Sequence, residues 1–469
     1  MTDTKMSEKE NEIITKNIPS DYLPIVYKIP KNKIDIFDYE EDPKFSKNID
    51  YPKFSFGFQH FIHQSKTKME ITKDFEGKKQ IYYVINKFER YVDDYETDVN
   101  NVSKAYFDIE PKPNILSRAF YKIWELFFMF DLVDLDKSDF ISAHLAEGPG
   151  SFIQATMFYR DKFTKKGLSK NDKFFAVTLH SEDLQKHVPK LEESFIEYYK
   201  KEKPPRFMMH KTYSKEESRM SKNKDNGDLT NPKTIKLFGG NFTKDKAHFI
   251  TADGGFMWEH ENLQEQEAYK LILAQIIMAL KIQAKDGNFI CKIYESFANI
   301  TSKFIAILSS FYNNIYITKP LMSRGSNSEK YIICINFIDS KDNNKKISKL
   351  DNILAKMNES RNIVDIFPEF LLPNELTTTL IKLNTEISNM QFVNINDMVD
   401  FIKKQNYRGD EYVSRRQMQI DATKYWLDQY FPDTKDITIK RNNIIKETND
   451  IVEQNIKNVE MLQKKLEFD

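Results

Sequence analysis

Four polar side chains give the first sign of chemistry: Lys122, Asp253, Lys292 and Glu329. The last three lie 39 and 37 residues apart, about one strand-plus-helix unit each. In a mostly parallel sheet that spacing carries them toward one edge, where α/β folds keep their sites. A lysine amine accepts a proton near neutral pH only when burial or a second cation depresses its pKa. Carboxylates beside it hold the ammonium and orient the lone pair. Lys292 lies within the apolar run Asn-Phe-Ile-Cys-Lys-Ile-Tyr, where an unpaired ammonium would be costly. Such a set suits removal of a proton from a weak acid such as an alcohol.

A fifth feature is the turn Ala146-Glu147-Gly148-Pro149-Gly150-Ser151-Phe152. Glycine admits close approach of backbone to a ligand, and a following helix would offer free N–H groups. The turn lacks both the third glycine of the dinucleotide fingerprint and the Lys-Ser/Thr pair of a P-loop, so neither NAD nor ATP is favoured. A nucleoside-bearing cofactor with a cationic amino acid or sulfonium end suits it better, the cation near Glu147 or Asp253.

The pattern around these residues alternates strand and helix. Apolar runs predict strands at Phe140–Leu145, Lys173–Leu179, Ala247–Asp253, Gly287–Tyr294, Asn314–Lys319 and Lys330–Phe337. Helical periodicity covers Asn114–Phe127, with Ser117 as a candidate cap, then Phe152–Phe163, Gln264–Gln283 and Ser302–Tyr312. Alternation of this kind implies an α/β fold with a mostly parallel sheet. The expected division is a polar flexible leader over 1–20, an α+β extension over 21–105, the main domain over 106–340 and a mainly helical region over 341–469. Within the extension, PIVYKI, KIDIF and QIYYVI read as short strands, and Glu76-Gly77 as a turn. The Asp/Asn/Lys-rich stretch DSKDNNKKISKLDN reads as a linker. Beyond it, Ser414–Tyr430 and Asn443–Phe468 are the clearest helices.

Composition narrows the class. The chain has 469 residues, 40% hydrophobic and 13% aromatic, with 36 Phe and 23 Tyr, which argues against bulk disorder. Basic and acidic residues both total 70, so attraction to nucleic acid must come from a local patch. The two cysteines, Cys291 and Cys334, lie in apolar runs. They read as buried free thiols of an intracellular, reducing compartment. The polar N-terminus has no apolar signal core, and no apolar run reaches membrane-span length. The wealth of Lys, Asn and Ile suggests an AT-rich genome, a viral one included.

The pieces SRAFYKIWE, HLAEGPGSF, DNGDLTNP, FITADGGF, NFICKIYESF and KPLMSRGSNSEKYIIC occur in this order over roughly residues 110 to 340. Together they resemble the FtsJ-type S-adenosylmethionine-dependent RNA ribose 2′-O-methyltransferases, most closely the mRNA cap branch. The resemblance implies a Rossmann-like methyltransferase fold, a seven-stranded sheet with one antiparallel strand, and a need for S-adenosylmethionine but no metal. It carries the family's Lys-Asp-Lys-Glu set onto Lys122, Asp253, Lys292 and Glu329. Lys292 is then the general base, Lys122 and Glu329 its orienting partners, and Asp253 a bridge between lysine and methyl sulfonium. RRQMQIDATKYWLDQYF resembles a helix that follows the domain in cap enzymes.

By the same resemblance, Gly148, Pro149, Gly150, Ser151 and Phe152 line the methionine and ribose end, with Glu147 beside them. Thr178 and Leu179, followed by His180, meet the adenosine ribose, and Asp228 lies by the adenine. The chain departs from many relatives at Glu147. For RNA, the basic candidates are Lys162, Lys165, Lys166, Lys200, Lys201, Arg206, Lys211, Lys319 and Arg324. Lys319 and Arg324 are favoured, with Ser326 and Asn327, because they adjoin Glu329. Phe158, Tyr159 and Trp258 are aromatics that could stack on a cap base. Plainer readings exist: Lys122 as a solvated helix residue, Glu329 and Lys319 as a surface ion pair, Asp253 and Asp228 as turn residues. The expected partner is capped mRNA, with a capping or transcription protein as a further one. The alternatives are a ribosomal or transfer RNA ribose methyltransferase, a non-catalytic RNA-binding subunit, and a small-molecule or protein methyltransferase.

Overall fold

The computed structural model describes residues 22–48, 55–78, 80–90, 96–110, 112–180, 188–220, 224–255, 259–357 and 362–466. The leader expected over 1–20 lies outside them. Strands run in chain order as β1 Ile25–Lys28, β2 Lys44–Ser46, β3 Ile141–Leu145, β4 Lys173–Val177, β5 Phe207–Met209, β6 Ala247–Ala252, β7 Gln283–Ile293, β8 Tyr312–Lys319, β9 Lys330–Phe337 and β10 Asn362–Asp365. The helices that matter below are α1 Phe56–Lys68, α2 Ala119–Phe130, α3 Ser151–Phe163, α4 Gln264–Ile282, α5 Asn374–Lys404, α6 Asp410–Tyr430 and α7 Thr438–Leu466.

Eight strands form one sheet in the order β1-β8-β9-β7-β6-β3-β4-β5, while β2 and β10 pair separately. From β5 across to β7 the neighbours are parallel. β9 runs antiparallel to both β7 and β8. The expected seven-stranded sheet is therefore present with one strand more. That strand is β1, paired antiparallel to β8 through Ile25↔Lys319, so the N-terminal extension is built into the sheet.

Strands buried on both faces read as continuous apolar runs, and all five residues of β3 are buried. Along β7, Phe289, Cys291 and Ile293 join the layer formed by α4 and the helix Asn299–Ser309. Ile290 faces the other layer, formed by α2, α3 and part of α6. Both cysteines are buried free thiols. No helix among the described residues is long and apolar enough to cross a membrane.

Three local expectations fail for physical reasons. KIDIF and QIYYVI form 3-10 turns at Ile36–Asp38 and Ile81–Ile85. In the first, the Asp35 side chain accepts from the Phe37 N–H while Ile36 and Phe37 are buried. The turn at Glu76-Gly77 is present, with Gly77 at φ 71°. The polar stretch after 339 is no linker, because Asn343–Met357 is a helix. Its Ile347, Leu350, Ile353 and Leu354 recur at helical spacing and are buried.

Candidate active site

The sheet brings four strand ends to one edge. Ala252 stands beside Cys291, which sets Asp253 next to Lys292. Lys292 pairs across with Tyr331, so Glu329, just ahead of β9, reaches the same edge. The Lys292 Nζ lies 3.0 Å from Asp253 Oδ1 and donates to the Asp253 backbone carbonyl at 3.0 Å. Lys122 enters from α2 and donates to Glu329 Oε1 at 2.6 Å. Glu329 Oε1 also accepts from Ser323 Oγ at 3.1 Å and from the Tyr331 hydroxyl at 3.2 Å. All four predicted residues thus converge as two ion pairs with side-chain exposures of 12–19%.

The electrostatics differ from the expectation for a free base. Burial alone would lower the Lys292 pKa, but Asp253, Tyr294 and Glu329 outweigh it and hold the amine above its ordinary range. The second cation, Lys122, is spent on Glu329. Burial would raise Glu329, yet Lys122, Lys292 and Lys319 together pull its carboxyl far below the usual value. Asp253 moves up, chiefly through burial, with Glu329 adding to the rise and the lysines opposing it. Without ligand, Lys292 is an ammonium.

The glycine turn sits at the neighbouring strand end. Gly150 has φ 114° and opens α3. A Cβ on Gly148 would fall 1.7 Å from the Pro189 carbonyl oxygen and 3.2 Å from Thr178 Oγ1. One on Gly227 would fall 2.1 Å from the Thr178 carbonyl oxygen. At both glycines, backbone therefore packs directly on backbone, Gly148 against Pro189 and Gly227 against Thr178. The helix N-terminus is not open as expected, because Glu147 Oε1 accepts from the Phe152 and Ile153 N–H groups at 2.8 Å each. Its Oε2 is buried and has no hydrogen-bond partner among the described residues. Burial and Asp253 push this carboxyl up against those two bonds. Two acidic side chains, Glu147 and Asp253, therefore stand at this turn.

The other cofactor candidates divide. The Phe152 ring is core, 6.1 Å from Tyr331. Ser151 Oγ lies 2.6 Å from Ser117 Oγ, and Ser117 Oγ accepts from the Ala119 N–H. Thr178 is buried, and the His180 N–H donates to the Asn226 carbonyl at 2.6 Å. Asp228 Oδ1 caps its own turn, accepting from Thr230 N and Oγ1 at 2.9 and 2.8 Å.

The RNA candidates need more correction. Lys319 is buried and donates to Ser323 Oγ, the Asn327 carbonyl and Oδ1, and the Glu329 carbonyl at 2.7–3.1 Å. It braces the 320–329 loop from inside rather than forming a basic rim, and Asn327 is committed to it. Ser326 is half-buried and its carbonyl accepts from Gln391. Arg324 remains at the surface, stacked 3.6 Å over the Tyr83 ring and paired with Glu89 at 3.1 Å. Arg206 pairs with Asp161 and Glu202, and Lys162 donates to the Tyr106 carbonyl. Lys165, Lys166, Lys200, Lys201 and Lys211 are exposed. Phe158 and Tyr159 are buried in the core and present no stacking face; Trp258 lies outside the described residues.

Several partners escaped the sequence reading. The Tyr294 hydroxyl donates to the Gly254 carbonyl beside Lys292 at 3.0 Å. Arg118 shares Glu89 with Arg324 and also donates to the Met322 carbonyl. Glu125 accepts from the Leu321 N–H at 2.7 Å. The spacing of Arg118, Lys122 and Glu125 along one helix face was the available signal.

Comparison with known proteins bears on this arrangement. Residues 115–337 match the family model described as FtsJ-like methyltransferase. The chain carries an FtsJ-like methyltransferase domain. Over 309 residues it is 25% identical to a cap-specific mRNA (nucleoside-2'-O-)-methyltransferase 1A of Caenorhabditis briggsae, covering 63% of this chain and 32% of that one. Over 114 residues it is 40% identical to cap-specific mRNA (nucleoside-2'-O-)-methyltransferase 1 of Homo sapiens, covering 23% of this chain and 14% of that one. The chain spans no more than a third of the length of either relative. A solved structure described as a ribosomal RNA methyltransferase from Plasmodium falciparum matches at 18% identity and a TM-score of 0.31, over 48% of this chain and 99% of that one. The FtsJ-like domain contains all four residues of the two ion pairs.

Proposed function

We propose that this chain transfers a methyl group from S-adenosylmethionine to a ribose 2′-OH of RNA, and that its substrate is the first transcribed nucleotide of capped mRNA. The observation that carries the reading is the convergence of Lys122–Glu329 and Lys292–Asp253 at one sheet edge beside the glycine turn. The cap-specific relatives support the choice of substrate.

S-adenosylmethionine, when bound, supplies an electrophilic methyl group beside a cationic centre. Glu147 and Asp253 would face that positive charge, and Gly148, Thr178 and Asp228 are the residues that would hold the nucleoside. Lys292 takes the 2′-OH proton at Nζ. It begins as an ammonium, so it must first release its own proton to solvent, and a cation near Asp253 weakens the carboxylate that retains it. Lys122 and Glu329 set the position of the hydroxyl, and Tyr294 steadies the Gly254 carbonyl beside them. Alignment of oxygen, methyl and sulfur supplies much of the rate.

Two guanidiniums, Arg118 and Arg324, share the buried carboxylate of Glu89. One positive charge is left over next to the site, and Arg324 offers it to an RNA phosphate. The test is labelled methyl transfer to a short RNA with and without a 7-methylguanosine cap. Faster labelling of the capped strand supports the cap reading; equal rates would overturn it and leave ribose methylation of another RNA.

A further inference from the structure

Glu329 reaches the site on a ten-residue segment, 320–329, between β8 and β9. That segment holds no helix or strand; Lys319 braces it from within, and further contacts hold it from outside. Two chains of contacts lead from it to a single helix beyond the methyltransferase domain. The Trp426 indole N–H donates to Glu125 Oε2 at 3.1 Å. Glu125 in turn accepts from the Leu321 N–H at 2.7 Å and the Met322 N–H at 3.3 Å. Two turns earlier on the same helix face, Gln419 Nε2 donates to the Tyr83 and Asn86 carbonyls at 3.1 and 2.9 Å. Tyr83 is the ring on which Arg324 stacks, and Glu89 of the same segment pairs with Arg324. Trp426, Gln419 and Glu125 are all buried.

We infer that α6 is a brace that positions the 320–329 loop, and through it Glu329 and Arg324, with Trp426 and Gln419 as positioning residues. The carboxylate of Glu125 is the coupling point because every group it meets here is a donor: two backbone N–H groups from the loop and one indole N–H from α6. Removing the indole N–H frees Glu125 to turn and unloads both loop amides. Removing the Gln419 amide frees the Tyr83 segment and the stack beneath Arg324. The inference goes beyond the assignment of the reaction but rests on it for the effect on turnover.

The test compares the full chain with Trp426→Phe, which keeps an aromatic body, and Gln419→Met, which keeps length and burial. Hydrogen exchange at the Leu321 and Met322 amides should quicken about tenfold in Trp426→Phe. In both variants kcat for RNA methylation should fall about tenfold, while S-adenosylmethionine binding stays within about twofold of wild type, since the hydrogen-bond partners of Trp426, Gln419 and Glu125 include no residue of the glycine turn. A purely structural role would lower the melting temperature without a local exchange change in 320–329. Unchanged loop exchange in a folded Trp426→Phe protein, with unchanged kcat in Gln419→Met, would overturn the brace. If Trp426→Phe does not fold, loop exchange and kcat in Gln419→Met decide alone. Exchange does not depend on turnover, so a wild type without methyl transfer but with the predicted exchange shift would refute the reaction and leave the brace standing.

Discussion

Lys122 and Glu329 stand 207 residues apart in the chain, yet Nζ and Oε1 meet at 2.6 Å. The pair joins the first helix of the domain to the loop that closes its sheet, and it occupies the charge that would otherwise depress Lys292. If the two residues act as a unit, Lys122→Ala and Glu329→Ala should each lower kcat for methyl transfer about a hundredfold. The double variant should cost little more than either single change, a coupling of about 1–3 kcal/mol in the cycle. Additive losses would show that they act separately.

The pH dependence follows from Lys292. Its pKa is raised in the ligand-free protein by Asp253, Tyr294 and Glu329 against burial. The kcat/KM profile reports groups of the free enzyme. It should therefore climb with pH through about pH 9, with the neutral amine always the minor form. A plateau beginning near neutrality would mean that another group is the base.

Acid stability has a separate source. Burial would raise the Glu295 carboxyl, but Lys66 at 2.5 Å and His63 at 2.9 Å hold it down to about 2. Because the folded value lies below the ordinary one of 4.5, its contribution is present above pH 4.5 and lost as pH falls toward 2. The linkage is on the order of 3 kcal/mol. Denaturant melts of wild type and Glu295→Gln should differ at pH 7 and converge near pH 2. A constant difference would remove the pair from the acid response.

Gly148 tests the proposed cofactor site. An alanine there must displace the Pro189 carbonyl, 1.7 Å from the new carbon. Gly148→Ala should weaken S-adenosylmethionine binding at least about tenfold by calorimetry, whereas Gly240→Ala, with open space around its Cβ, should bind as wild type. Equal affinities would place the cofactor elsewhere.

The sheet was legible where burial writes a continuous apolar run, as in β9, or sets a lysine inside one, as in β7. It was not legible for β5, whose three residues sit at the sheet edge. The helix Asn343–Met357 hid behind its solvent face of Asp, Asn and Lys. The four catalytic candidates stood out by type and family order, but their pairing did not. Nothing local distinguishes Lys319, buried and bonded to its own loop, from a basic residue facing RNA. Contacts such as Glu125 with Leu321, 196 residues away, exist only once the chain has folded.

The most direct measurement is transfer of labelled methyl from S-adenosylmethionine to 7-methylguanosine-capped RNA, by wild type and by Lys292→Ala. Wild type should label the RNA and make the linkage after the first nucleotide resistant to alkali, and Lys292→Ala should bind S-adenosylmethionine yet lose transfer by at least about a hundredfold. Alkali-sensitive product, or undiminished transfer by Lys292→Ala, would contradict a ribose 2′-O-methyltransferase that works through Lys292.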